Sequence, residues 1–367
     1  MILVKAKRDE LLEPLAAVSG IIERRHTLPI LSNVLIEKTG ETLSFVATDI
    51  EIQIVSRSRL EQSGETRALT VGARKLVEIL RALPDGEVIL STQEKRLQVK
   101  SGRSRFTLQT LPAEDFPRLS RPAGDVSTLS LPQKELRKHL ALVQYAMAQQ
   151  DIRYYLNGLL LVVDDKQLKL VATDGHRLAY CAIQLDVELP RQEVIVPRKT
   201  ILELSKLLAD TDDLVKIEIS ATQAAFSFGT IELVSKLVDG KFPDYTRVIP
   251  KDHKNTTRID RELLRQALSR AAILSNEKFR GVRWVLADGV LKIVSSNAEQ
   301  EEAHEELEVK YSGPAIDIGF NVTYLLDVLN NVSGTEIEVS FGDAASSALV
   351  HFPAEKSFQY VVMPMRI

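Results

Sequence analysis

The sequence predicts an α+β protein of three similar units, each with two helices and mainly antiparallel sheets. Three observations predict it. The tetrapeptide VATD at residues 46–49 recurs at residues 171–174, 125 positions on. Three amphipathic segments share one apolar pattern at nearly the same interval. A second family of three follows at that interval, each leading through a polar turn into period-two alternation. Internal similarity at a fixed spacing outranks other signals because it sets the architecture.

The first helix family comprises residues 8–22, 132–148 and 260–275, with apolar residues at three- and four-residue steps. Leu11, Leu136 and Leu263 are expected at equivalent places. Asp260 is a candidate N-cap, and Pro132 suits a first turn. The second family comprises residues 71–83, 196–208 and 319–331, with Arg74, Arg198 and Val322 each 124 apart. The turns PDGE, DTDD and SGTE then lead into VILST, VKIEIS and IEVSF. Between the helices lie strand–turn–strand stretches with TGET, DDKQ and ADGV at their turns. Strands outnumber helices, which excludes a doubly wound fold. Turn-rich loops at 121–128 and 250–256 divide the chain into units 1–125, 126–253 and 254–367.

Composition is that of an ordinary globular protein, 44% hydrophobic and 26% charged. There is no run of eighteen apolar residues, and the N-terminus turns charged within five, so neither a membrane span nor a secretory core is expected. The single Cys181 excludes an internal disulfide and a CxxC site, which favours the cytoplasm. Net charge is −3 and unevenly spread. Residues 1–125 hold 19 Lys and Arg against 17 Asp and Glu, whereas residues 254–367 hold 12 against 16.

The stretch TDGHR at residues 173–177 extends the repeated VATD with residues the first copy lacks. A catalytic or metal reading of Asp174 and His176 fails: they are two apart, and no GxSxG elbow, HExxH pair or phosphate loop accompanies them. TDG reads instead as a strand-to-strand turn with Gly175 at positive φ. No enzyme, cofactor or metal is expected. No helix-turn-helix or zinc-finger spacing marks a sequence-reading DNA regulator. Basic helices on an acidic chain (Arg74, Lys75, Arg81; Lys134, Arg137, Lys138; Arg198, Lys199, Lys206) fit an electrostatic surface that meets phosphates without reading bases. The tail YVVMPMRI ends on two methionines and a proline, where a polar, frayed end is usual.

Several segments, spread over the whole chain, resemble the bacterial DNA polymerase III beta subunit family, the sliding clamps: SNVLIE with ATDIE, SGRSRF, QDIRYYLNG, VATDGHRLA, VPRK, SKLVDGKFPDY, AAILSNEKFRGVR and YVVMPMRI. The resemblance implies a head-to-tail dimer whose six domains form a ring around duplex DNA, tethering the polymerase without catalysis. It also implies an apolar pocket for a short peptide of partner proteins, among them polymerase III alpha, clamp-loader subunits, other polymerases and repair proteins. The matching pocket positions are Leu156, Thr173, Gly175, His176, Arg177, Leu178, Pro243, Arg247, Val248, Asn321, Tyr324, Ser347, Val361, Met363, Pro364, Met365 and Arg366. For DNA the resemblance implies contact from the loop with Gln150, Tyr154 and Tyr155, and the charge pattern adds Arg25, Arg74, Lys75, Arg81, Arg198 and Lys199. For the dimer the resemblance implies an apolar centre of Phe106, Ile273 and Leu274, and the charge pattern adds Arg96, Arg103 and Arg105 in a basic segment of the first unit facing Glu299, Glu301, Glu302 and Glu305 in an acidic one of the third. Acidic residues in the first helix, Glu13 among them, weaken the expectation that this helix meets DNA.

Overall fold

The structure is a computed structural model that describes residues 2–23, 28–60 and 66–367. Six α-helices lie among them: α1 (Arg8–Ser19), α2 (Ala73–Ala82), α3 (Gln133–Val143), α4 (Arg198–Leu207), α5 (Arg261–Ala271) and α6 (Val322–Asn331). All strand pairs are antiparallel, as the alternation predicts. The fold class is thus α+β with six helices over antiparallel sheets, in two compact units: Met1–Lys134 with Leu202–Leu237, and Glu135–Ile201 with Val238–Ile367.

The first unit holds a twelve-stranded sheet. α1 lays Leu11, Pro14, Leu15 and Val18 into its core, and α2 adds Ala73, Leu76, Val77 and Leu80. The second unit holds a six-stranded and a four-stranded sheet. α5 buries Leu264, Ala267, Leu268 and Ala271, and α6 buries Val322, Leu325, Val328 and Leu329. Each stripe follows the three- and four-residue spacing that one helix face requires.

The 124-residue register holds at the level of burial. Leu76, Val77 and Leu80 of α2 correspond to Thr200, Ile201 and Leu204 of α4, all buried. The register of the other family slips in its third copy. Leu11 and Leu136 are buried, but Leu263 is 56% exposed and Leu264 takes the inward place. The cause is the cap: Asp260 accepts from the Leu263 N–H at 2.8 Å, which fixes the helix start and turns Leu263 outward. Pro132 closes the strand Ser127–Pro132 instead of opening α3, which begins at Gln133. The DDKQ segment is a kink inside the extended run Gly158–Thr173, where Asp165 (φ 53°) shifts the register on both sides.

Candidate functional site: the turn at Asp174 and the chain terminus

Short side chains build the turn between Gly158–Thr173 and Arg177–Pro197. Thr173 Oγ1 donates to the Arg177 carbonyl at 2.6 Å and accepts from the Gly175 N–H at 3.1 Å. Asp174 Oδ1 accepts from the N–H groups of His176 and Arg177 at 2.9 and 3.1 Å. Asp and Thr here replace backbone partners, which is why they recur at such turns. Gly175 takes φ 89°, as expected, and its bare Cα lets the Arg153 guanidinium come close. Arg153 Nη2 donates to the Asp174 carbonyl at 3.1 Å, and Nε donates to Asp151 Oδ1 at 3.0 Å. The Arg153 hydrogen bonds lower the Asp151 carboxyl to about 2.

Arg177 is the frame of the site. It is buried, so its charge must be matched on the spot. Nε donates to Asp174 Oδ2 at 3.0 Å, Nη1 to Asp327 Oδ2 at 2.6 Å and Nη2 to the Tyr145 carbonyl at 2.7 Å. Its guanidinium carbon lies 4.4 Å from the Tyr324 ring centroid and 5.6 Å from that of Tyr145. Burial works against the charge, but Tyr360, Asp327 and Asp174 outweigh it and hold the group protonated. Burial pushes the Tyr145 and Tyr360 hydroxyls upward as well.

The strand Phe358–Val362 pairs with the turn's outgoing strand, Arg177 opposite Val362 and Leu178 opposite Val361. Beyond it the backbone stays anchored. The Met363 N–H donates to the His176 carbonyl at 2.9 Å, and the Met365 N–H donates to the Gly319 carbonyl at 2.9 Å. A Cβ on Gly319 would lie 2.7 Å from Ile367 Cδ1, so only glycine admits the tail there.

The expected pocket residues divide into floor and rim. Leu156, Leu178 and Val361 are fully buried in one apolar cluster with Leu160, Val171 and Phe242, and Thr173 and Arg177 are buried beside it. His176 is exposed and stacks on Tyr324 with centroids 6.5 Å apart. Met363 and Val248 are 45% and 42% exposed, while Pro364 and Met365 are half-buried. Arg366, Pro243 and Arg247 are exposed, the last paired with Asp244 at 3.0 Å. Asn321 caps α6, accepting from the Thr323 N–H at 2.9 Å, and the Ser347 carbonyl accepts from His253 Nε2 at 2.7 Å. Apolar floor, adaptable methionines and a cationic rim suit an apolar peptide.

Sequence reasoning missed Asp327, Tyr145 and Tyr360, the partners of Arg177. An arginine in an alternating apolar strand signals a buried charge that needs a partner, yet Asp327 lies 150 residues away and only the fold identifies it.

For the DNA candidates, Arg74, Lys75 and Arg81 lie exposed on α2, with no acidic partner among the described residues. Charge elsewhere is more engaged. Lys134 pairs with Asp212 and Lys138 with Glu355, each at 2.7 Å. Arg198 is half-buried and donates to the Met147 carbonyl at 3.0 Å; burial, then Arg177, lower its pKa. Lys199 is half-buried, and Gln150 is exposed with φ 56°. Tyr154 is 58% exposed, whereas Tyr155 packs against the apolar cluster. Arg25 lies outside the described residues, as does Arg24.

The dimer candidates fall on two sheet edges. Ser104–Leu111 pairs with Arg96–Ser101 on one side and meets Arg67–Gly72 on the other only at Thr110 and Leu111. Arg96, Arg103 and Arg105 are exposed and Phe106 half-buried. Glu302–Glu308 pairs with Val290–Ser296 alone, and Glu299, Glu301 and Glu302 are exposed. Glu305 is already taken by Arg270 at 2.6 Å, which lowers its pKa. Ile273 is 77% exposed, with Leu274 half-buried beside it.

Comparison with known proteins agrees with this architecture. The chain matches the DNA polymerase III beta subunit N-terminal domain over residues 3–120, the central domain over 130–244 and the C-terminal domain over 246–366. It is 49% identical over 365 residues to the beta sliding clamp of Pseudomonas aeruginosa, covering 98% of this chain and 99% of that one. It is 46% identical over 362 residues to that of Escherichia coli, with the same coverage. Among solved structures, the P. aeruginosa DNA polymerase sliding clamp with ligand superposes with TM-score 0.96 at 47% identity, covering 100% of both chains. A P. aeruginosa sliding clamp bound to griselimycin gives TM-score 0.95 at 48% identity, again over 100% of both. Three domain matches that together run nearly the length of the chain, close full-length relatives and one shared fold place the chain in the DNA polymerase III beta subunit family, the beta sliding clamps.

Proposed function

We propose that two copies of this chain close head to tail into a ring around duplex DNA and hold the replicative polymerase to it through the pocket beside Asp174. The chain is a processivity clamp of DNA replication and not an enzyme. The ring is built from three domains per copy, 1–125, 126–253 and 254–367. The observation that carries the peptide reading is the tail. Its backbone is anchored to His176 and Gly319, yet Met363 stays 45% exposed beside a buried apolar floor. An apolar terminus held in place but left open to solvent suits a partner's anchor residues. The pocket takes short peptides of polymerase III alpha, of clamp-loader subunits, and of other polymerases and repair proteins. Griselimycin, bound in a P. aeruginosa relative, is a ligand that this pocket would take.

DNA contact runs through phosphates alone, led by the exposed cations of α2, so it ignores base sequence. The protein works in the cytoplasm, with the DNA it clamps. The test is topological. Loaded on closed circular DNA, the ring stays bound through gel filtration at moderate salt and is lost once the DNA is linearised. A protein that leaves circular and linear DNA at one rate does not encircle it.

A further inference from the structure

The repeated VATD builds the same turn twice, hydrogen bond for hydrogen bond. In the first copy Thr48 Oγ1 donates to the Ile52 carbonyl at 2.9 Å and accepts from the Ile50 N–H at 3.0 Å. Asp49 Oδ1 accepts from the N–H groups of Glu51 and Ile52 at 3.0 and 2.9 Å. These are the four bonds of Thr173 and Asp174, each shifted by 125 residues. Ile50, at φ 73°, holds the place of Gly175 at φ 89°. A β-branched residue at positive φ is a true outlier, retained because the surrounding bonds dictate the turn.

The correspondence continues into the neighbouring strand. Ile52 and Gln53 stand opposite Ser235 and Val234, as Arg177 and Leu178 stand opposite Val362 and Val361. At the end of that strand the Lys236 N–H donates to the Glu51 carbonyl at 2.9 Å, as the Met363 N–H does to His176. The loop over the turn also recurs, with FPR at residues 116–118 for FPD at residues 242–244, and Phe116 and Phe242 both buried. The first unit therefore repeats the turn, the strand pairing and the covering loop of the peptide pocket, without its terminal tail.

Three polar residues distinguish the first copy. Where the pocket has Leu178, the first unit has Gln53, whose amide grips the loop in both directions. Nε2 donates to the Leu119 carbonyl at 3.3 Å, and Oε1 accepts from the Leu119 N–H at 3.0 Å. Where the pocket has His176 and Met363, the first unit has Glu51 and Lys236, paired at 3.0 Å across the corresponding mouth. An apolar anchor entering there would strip both partners from the buried Gln53 amide, a strong bar to binding, and would also have to displace the partly exposed Glu51–Lys236 pair.

We infer that the first unit holds a closed counterpart of the pocket, shut by Gln53 and the Glu51–Lys236 pair, so each chain takes one apolar peptide and not two. The inference rests on the pocket reading above. Its experiment is calorimetric titration of the full chain with griselimycin. The native chain takes one equivalent. Gln53→Leu with Lys236→Met, which copies Leu178 and Met363 into the first frame, adds a second event at least about tenfold weaker, because the Met365 and Ile367 contacts have no counterpart there. In a chain ending at Val362, which lacks the native pocket's tail, the same two substitutions restore one weak event. Two equivalents in the native chain overturn the inference, as does a single equivalent in the double variant with native circular dichroism. No binding by the native chain would instead overturn the pocket reading.

Discussion

The Met365 N–H donates to the Gly319 carbonyl at 2.9 Å, joining the chain terminus to the edge strand that leads into α6. The bond brings the tail so near that a Cβ on Gly319 would press on the Met365 carbonyl and on Ile367. Gly319→Ala should displace the tail while the sheet it leaves stays intact, since Gly319 still pairs with Arg283. Overpacking of this kind costs about 1–3 kcal/mol, so peptide affinity should fall roughly 5- to 100-fold. Sedimentation of the variant should still show the native dimer. Unchanged griselimycin affinity would mean the tail does not form the pocket wall.

DNA affinity should depend on salt mainly through α2. Arg74, Lys75 and Arg81 are exposed and have no acidic partner among the described residues, whereas Arg265 of α5 is held by Glu262 at 2.9 Å. Each phosphate contact adds about 0.9 to the slope of log K against log salt. Arg74→Ala with Lys75→Ala should therefore flatten the slope by about 2, and Arg265→Ala should leave it unchanged. Fluorescence anisotropy across a salt series decides it. A slope that responds equally to both variants would spread DNA contact over α5 as well.

The acid behaviour of the turn follows from Asp151. The Arg153 hydrogen bonds lower its carboxyl from 3.8 to about 2, so the folded state favours the charged form. That contribution is complete above pH 3.8 and is lost as pH falls through about 2. An NMR titration of the Asp151 carboxyl should show a midpoint near 2, returning towards 3.8 in Arg153→Ala. A native midpoint at the ordinary value would mean that Arg153 leaves Asp151 in solution and grips only the Asp174 carbonyl.

The architecture was legible because its causes are local. Repeated turns, caps and apolar stripes are written in adjacent residues; the Asp260 cap lies where the pattern puts it, and all six helices fall inside the expected segments, shorter at their ends. Leu263 went astray because two adjacent leucines satisfy the same periodicity and only the cap chooses between them. The turn at Asp174 was legible as a turn, but its support was not. Asp327 and Tyr145 reach Arg177 from distant parts of the chain. Surface charge was the least legible feature. Lys134, Lys138 and Glu305 are ordinary free charges in the sequence, yet the fold gives each a partner.

That last point alters the expected dimer. The edge Ser104–Leu111 lacks a second neighbour over most of its length, and Glu302–Glu308 has one open side. Open edges of opposite charge suit a heterologous pairing that closes into a ring. Glu305, however, is held by Arg270, so Arg96, Arg103 and Arg105 of a second copy would meet Glu299, Glu301 and Glu302 instead. Glu302 is itself shared with His304 at 3.1 Å. Exposed ion pairs contribute about 0–1 kcal/mol each, whereas a buried apolar anchor contributes about 2 kcal/mol or more. Ile273, 77% exposed, is the strongest candidate for such an anchor, with the half-buried Leu274 beside it and Phe106 of a second copy as its expected counterpart. Ile273→Ala with Leu274→Ala should give a folded monomer at sub-micromolar concentration, a loss of roughly a thousandfold in dimer affinity. Glu305→Gln should change it by less than about fivefold. Sedimentation velocity over a dilution series separates the two. A double variant that remains dimeric, or a Glu305 variant that dissociates as readily, would move the interface away from these edges.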